Sequence, residues 1–243
     1  MKHKKLIIVI SIILLLIIAV VVAGVTFFLP VSSMTPAATG KIGDTGITAI
    51  KNNTSGVYFY DTGDGYIIID TGSDSAALLT SMNELSINPD DIKYVFITHT
   101  DYDHMVSLNN FKNAQVYLSK NEKQMIDGTT KRNSFSKNRL PADVSIDDMA
   151  WLENGEIVEI NGHTVECIDA PGHTTGSMVY LLDDKYLFTG DAFKVTDDVI
   201  SVHPFTRDEK TAEETISNLK SVFDKSELIL TSHYGYYKPD EIK

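Results

Sequence analysis

Four short segments place imidazoles and carboxylates directly behind apolar, β-rich runs. Ile92 to Thr98 leads into His99-Thr100-Asp101-Tyr102-Asp103-His104, and Thr164 to Asp169 leads into Pro171-Gly172-His173. Tyr186 to Thr189 leads into Gly190-Asp191, and Leu228 to Thr231 into Ser232-His233. Strand ends are where a rigid scaffold aims side chains into one shared site. Seven residues become candidate ligands: His99, Asp101, Asp103, His104, His173, Asp191 and His233. Imidazole and carboxylate suit Zn²⁺, and more than four ligands admit a second divalent ion. Gly172 and Gly190 let the backbone turn sharply beside them.

The elements needed to position these residues are legible around them. Val57 to Tyr60 and Tyr66 to Ile69 flank Asp61-Thr62-Gly63-Asp64-Gly65 and read as a hairpin. Further strands are expected at Gln115 to Leu118, Ile157 to Ile160 and Met178 to Leu182. Ser75 to Leu85, Ser119 to Ile126 and Thr211 to Phe223 carry helical spacing. Mixed strands and helices without a short repeat make an α/β chain.

The chain has 243 residues, 21 basic and 33 acidic, for a net charge of −12. Its first 29 residues hold three lysines and no acid, which leaves 18 basic against 33 acidic residues, a net of −15, in the remaining 214. That balance argues against a nucleic-acid partner held through a basic surface. A single cysteine, Cys167, excludes a disulfide scaffold and reads as a buried strand residue. Residues 1–5 precede an apolar run over 6–29, about 36 Å as a helix, which suffices to cross a bilayer core. Lysines before the run orient the N-terminus to the cytoplasm and the rest outside; secretion after cleavage near Val21-Val22-Ala23 is the alternative. Residues 30–40 read as a flexible tether and 41–243 as one domain.

The ordered motifs Thr98-His99-Thr100-Asp101-Tyr102-Asp103-His104, Pro171-Gly172-His173, Thr189-Gly190-Asp191 and Thr231-Ser232-His233, with Ile69-Asp70-Thr71-Gly72 upstream, resemble the metallo-β-lactamase fold superfamily. The resemblance implies a four-layer αββα sandwich with a two-metal site, zinc first, at one edge of the sheets. It implies that His99 and His173 hold one metal, that Asp103, His104 and His233 hold the other, and that Asp191 bridges. The implied chemistry is hydrolysis by a hydroxide held between the metals, with Asp103 orienting it and taking its proton.

Where the family pattern carries His, this chain has Asp101. A carboxylate there lowers the charge of the cluster and favours iron or manganese, so the first site is expected to bind metal more weakly or to accept those ions. The flavodiiron branch of the superfamily has a carboxylate there too. Cys167 is out of place for the cysteine ligand of the best-known zinc lactamases. Tyr102 and Tyr234 neighbour the ligands and could meet a substrate oxyanion. Residues 127–150 read as a long loop bearing Lys131, Arg132, Lys137 and Arg139, either a solvated surface or an anion-binding lid. His163 reads as an exposed turn residue, and His203 as a loop cap more than as part of the site. The expected function is a membrane-anchored, extracytoplasmic metallohydrolase of a small ester, lactone, thioester or phosphoester. An iron-dependent redox enzyme and a non-catalytic metal-stabilised binding module are the alternatives.

Overall fold

The computed structural model describes residues 2–132 and 138–242, in two compact units, Met1–Met34 and Thr35–Lys243. The first unit is helix α1, Lys2–Ser32. Its stretch Ile7–Ser32 reaches a mean hydropathy of 3.5 over its most apolar 18 residues and is long and apolar enough to cross a membrane. Thr26 does not interrupt it, because the hydroxyl bonds back to the Val22 and Ala23 carbonyls. The helix runs past the expected end at residue 29, and Pro30 lies inside its last turn.

In the second unit, β1 (Gly40–Lys41), β2 (Ile47–Asn52), β3 (Ser55–Asp61), β4 (Tyr66–Ile69), β5 (Ile92–Ile97), β6 (Gln115–Ser119) and β7 (Met149–Leu152) form a seven-stranded sheet in chain order. Pairing is antiparallel up to β4 and parallel from β4 to β7. The second sheet uses β8 (Ile157–Ile160), β9 (His163–Asp169), β10 (Met178–Leu182), β11 (Tyr186–Gly190), β14 (Leu228–Thr231) and β15 (Tyr236–Tyr237). Its order is β15-β14-β11-β10-β9-β8, with β12 (Lys194–Thr196) and β13 (Val199–Ser201) paired separately. The helices are α2 (Ser75–Glu84), α3 (Tyr102–Met105), α4 (Lys123–Asp127) and α5 (Glu209–Lys225).

Strand alternation sorts side chains into three apolar layers. Tyr58, Ile67, Ile69 and Phe96 of the first sheet meet Val165, Cys167, Tyr180, Phe188 and Leu230 of the second in the inner layer. Their neighbours Phe59, Ile68, Val95 and Ile97 point outward, against Leu78 and Met82 of α2. Val179, Leu181, Leu187 and Ile229 likewise face Leu219 and Phe223 of α5. The result is the expected αββα sandwich. Asp74 and Asp208 start α2 and α5 by accepting the Ala77 and Thr211 amides.

Two expectations need correction. Residues 35–40 are packed against the domain and do not dangle: Pro36 and Ala37 are buried, and the Thr39 hydroxyl accepts the Lys51 amide. Residues 127–150 are not a single irregular loop. Leu140, Val144 and Ile146 pack on the outer layer of the first sheet, and Met149 opens β7 beside β6. Lys137 lies outside the described residues.

Candidate metal centre

The site lies at the C-terminal ends of β5, β11 and β14. β5 runs parallel to β4 and β6, and β11 parallel to β14, and their ends deliver His99, Asp191 and His233 to one place. The two glycines are needed there. Gly190 has φ +53°, and a Cβ on it would fall 2.5 Å from Thr98 Oγ1; Gly172 has φ +132°, and a Cβ would fall 2.6 Å from the Ala212 backbone. Only a residue without a side chain lets these loops close.

Asp191 Oδ2 is ringed by five imidazole Nε2 atoms: His233 at 3.2 Å, His173 at 3.3 Å, His104 at 3.5 Å, His203 at 3.7 Å and His99 at 3.9 Å. Asp103 Oδ2 lies 3.3 Å from His233 Nε2 and 3.7 Å from His104 Nε2, and accepts the Ser55 hydroxyl at 3.0 Å. Four overlapping ligand groupings follow: Asp103, His104 and His233 on one side, His99, Asp101 and His173 on the other, with His99, His104 and Asp191, and His173, Asp191 and His203, between them.

Three of the imidazoles are oriented from behind. His104 Nδ1 donates to Asp70 Oδ2 at 2.8 Å, and His233 Nδ1 donates to the Thr54 carbonyl at 2.6 Å. The Thr98 hydroxyl donates to Asp70 and so accepts from His99 Nδ1 at 3.1 Å. With their protons on Nδ1, these rings aim the Nε2 lone pairs at the centre. His99 Nε2, His104 Nε2 and Asp191 Oδ1 are buried, with no hydrogen-bond partner among the described residues. Leaving such atoms bare costs about 1–3 kcal/mol each. Convergent, unpaired nitrogen and carboxylate donors are what a divalent cation satisfies, so the residues fit a metal.

The electrostatics are those of carboxylates crowded among imidazoles. Burial opposes the charge on Asp191, but the surrounding imidazoles, His233 foremost, hold its carboxyl well below the usual range. Burial lowers His173 to about 4 and His203 to about 3, so both rings are neutral near pH 7. His104 goes the other way: burial depresses it, yet Asp191, Asp103 and Asp70 together raise it well above normal.

The expected residues do not all behave alike. His99, Asp103, His104, His173, Asp191 and His233 come together as read from the sequence. Asp101 joins the grouping with His99 and His173, but its Oδ1 accepts from Asn138 Nδ2 and its Oδ2 pairs with Arg132 Nη2 at 2.9 Å. Arg132 is thus drawn into the centre and not left in solvent. Arg139 is exposed, in a groove with Ile126, Leu140 and Val144, and Tyr102 is 70% exposed on α3. Tyr234 is buried, its ring 5.9 Å from that of His203. His203 is corrected from a loop cap to a member of the cluster, and His163 from an exposed turn to a half-buried partner of Asp183 Oδ2 at 2.7 Å.

Three supports escaped the sequence reading. Asp70, at φ +59°, braces Thr98 and His104; a positive φ on a non-glycine residue has no sequence signature beyond the Asp-Thr-Gly turn. Arg207 holds the Lys131 carbonyl and the Thr175 hydroxyl, fixing the loop that carries Arg132. Glu122 is fully buried. Its Oε1 accepts from the Thr100 amide and hydroxyl, and its Oε2 from the Thr174 hydroxyl and the Gly176 amide. In the polar run Lys120-Asn121-Glu122-Lys123 it looks like any surface acid.

Residues 53–233 match the family model described as the metallo-beta-lactamase superfamily. Among curated proteins, the chain is 28% identical over 173 residues to a probable metallo-hydrolase of Methanocaldococcus jannaschii, covering 70% of this chain and 71% of that one. It is 32% identical over 128 residues to the probable polyketide biosynthesis zinc-dependent hydrolase PksB of Bacillus subtilis (51% and 48%). It is 27% identical over 156 residues to the hydroxyacylglutathione hydrolase GloC of Haemophilus influenzae (60% and 68%). Among solved structures, a metallo-β-lactamase with a HARLDQ motif from Cronobacter sakazakii superposes with a TM-score of 0.64 at 19% identity, covering 84% and 81% of the two chains. An archaeal superfamily protein from Sulfolobus tokodaii gives 0.59 at 21% identity, with 81% and 82% covered. With the sandwich, the ordered ligand motifs and the matched family model in agreement, the chain belongs to the metallo-β-lactamase superfamily.

Proposed function

We propose that this chain is a membrane-anchored, metal-dependent hydrolase of a small acyl ester, lactone or thioester, with phosphoesters as the next class. The observation that carries the proposal is the ring of five Nε2 atoms around Asp191 Oδ2, with buried, partnerless donors aimed inward. Asp103, His104 and His233 would hold one divalent ion, His99 and His173 a second, and Asp191 would lie between them. Zinc suits this donor set. A bound divalent ion supplies Lewis acidity and lowers the pKa of water.

The chain's own residues do the rest. Asp103 Oδ2, held by Ser55, accepts a proton from the attacking water as its oxygen forms the bond to the acyl carbon. The bond to the leaving group then breaks, and the same proton passes to that group. His203 plays a different part from the other rings. The Phe205 amide donates to its Nδ1 at 3.4 Å, which leaves the proton on Nε2, facing the cluster. It therefore offers a hydrogen bond to developing negative charge on the substrate and not a lone pair to a metal.

A relative named as a hydroxyacylglutathione hydrolase supports acyl over phosphoryl substrates, and one named as a zinc-dependent hydrolase supports the metal. The carboxylate that motivated an iron redox reading, Asp101, pairs with Arg132 and Asn138, which favours the hydrolytic reading. Helix α1, with lysines only at its start, supports an anchor with the domain outside the cytoplasm. Hydrolysis of a lactone, thioester and phosphodiester panel by the full chain in detergent, with and without chelator, tests the proposal. Chelator-sensitive acyl hydrolysis that returns with added zinc is expected; no turnover of any member, or turnover indifferent to chelator, overturns it.

A further inference from the structure

We infer that Arg132 is a built-in counter-cation which competes with metal for the first position, so that one metal binds tightly and the second only when this guanidinium leaves. The inference rests on the metal-site reading above and concerns how that site fills. Arg132 Nη2 lies 2.9 Å from Asp101 Oδ2 and 3.0 Å from His173 Nε2, while Nη1 donates to the His173 carbonyl. His173 Nε2 also lies 3.2 Å from Asp101 Oδ2, so this nitrogen is engaged either by accepting from the guanidinium or by donating to the carboxylate. An imidazole nitrogen has a single in-plane lone pair. His173 can therefore serve the Arg132–Asp101 pair or a metal, but not both.

Asp101 is engaged in the same way. Asn138 Nδ2 donates to its Oδ1 at 3.0 Å and Arg132 pairs with its Oδ2 at 2.9 Å, so both oxygens already have a partner. The described residues beside these donors are tied down. Thr175 Oγ1 donates to Thr130 Oγ1 at 3.2 Å, Arg207 Nε to the Lys131 carbonyl at 3.2 Å, and the Asn138 amide to the Met125 carbonyl at 3.0 Å. Arg132 is thereby held with its fixed positive charge over the ligands. The second position has no such occupant: His104 Nε2 has no hydrogen-bond partner among the described residues, and Asp103 faces imidazoles and a serine. The residue type at 101 completes the logic. An imidazole there would recruit metal, whereas a carboxylate recruits the arginine.

The test is metal binding by the full chain in detergent, stripped with chelator and titrated with Zn²⁺ against a chromophoric chelator. Co²⁺ absorption serves as a second readout. Wild type is expected to bind one ion tightly and a second at least tenfold more weakly. Arg132→Ala should narrow that gap at least tenfold, and Asp101→His, which restores an imidazole and removes the arginine's partner, should bind two ions tightly. Two ions of equal affinity in wild type, or an unchanged gap in Arg132→Ala together with Asp101→His, overturns the inference while leaving the metal site intact. No bound metal in any of the three overturns the metal-site reading itself.

Discussion

Glu122→Gln is the change that best separates the supporting architecture from the ligands. Each oxygen of the carboxylate receives one strict donor, the Thr100 amide at 2.8 Å on Oε1 and the Gly176 amide at 3.1 Å on Oε2. Each also receives a hydroxyl, from Thr100 and Thr174, both at 2.7 Å. The hydroxyls can rotate and accept; the amides cannot. A glutamine presents one oxygen and one NH₂, so in either orientation an NH₂ faces a backbone N–H. One buried amide is then unpaired, at about 1–3 kcal/mol, and the remaining bonds lose their charge assistance. A net loss of about 2 kcal/mol is the working figure, and for a domain of this size it lowers Tm by about 4–8 °C. Because Thr100 sits between His99 and Asp101 and Thr174 follows His173, the first metal position should also loosen. Thermal unfolding of metal-free protein by circular dichroism, followed by zinc titration, reads both effects. A Tm within 1 °C of wild type with unchanged zinc affinity would refute the reasoning.

Other outcomes are equally specific. His203→Ala should keep wild-type metal content while kcat falls by about 10²; loss of metal would instead make His203 a ligand. Gly172→Ala forces a side chain to φ +132° and to within 2.6 Å of the Ala212 backbone, so it should cost about 2 kcal/mol or more in denaturant unfolding; an unchanged midpoint would contradict that. Cys167 is fully buried, and its thiol is pushed up to about 12 by burial, so a thiol reagent at pH 8 should label it only after unfolding. Rapid labelling of the native chain would show that the inner layer is open.

Residues that announce themselves by type and period were legible before any coordinates. Ile92 to Thr98 and Leu228 to Thr231 are short apolar runs with no other use than buried strands, and the polar residues behind them had to lie at strand ends. What escaped is what depends on distant partners. β7 is four residues, Met-Ala-Trp-Leu, whose only reason to be a strand is parallel pairing with β6, more than 30 positions earlier. Glu122 becomes structural only because Thr100, Thr174 and Gly176 converge on it. Arg132 and Arg139 look alike in sequence, yet Arg207 and Thr175 fix the loop so that only Arg132 meets the centre. His203 follows a two-stranded hairpin that carried no clear signal.

The central claim is that the His/Asp cluster binds metal and that catalysis depends on it. Zinc content and acyl hydrolysis measured side by side on wild type and His233→Ala test it most directly. Wild type should retain at least one zinc per chain after gel filtration and lose activity in step with zinc as chelator is added, and His233→Ala should lose both. A His233→Ala protein that keeps its zinc and its rate, or a zinc-free wild type that hydrolyses at full speed, would contradict the claim.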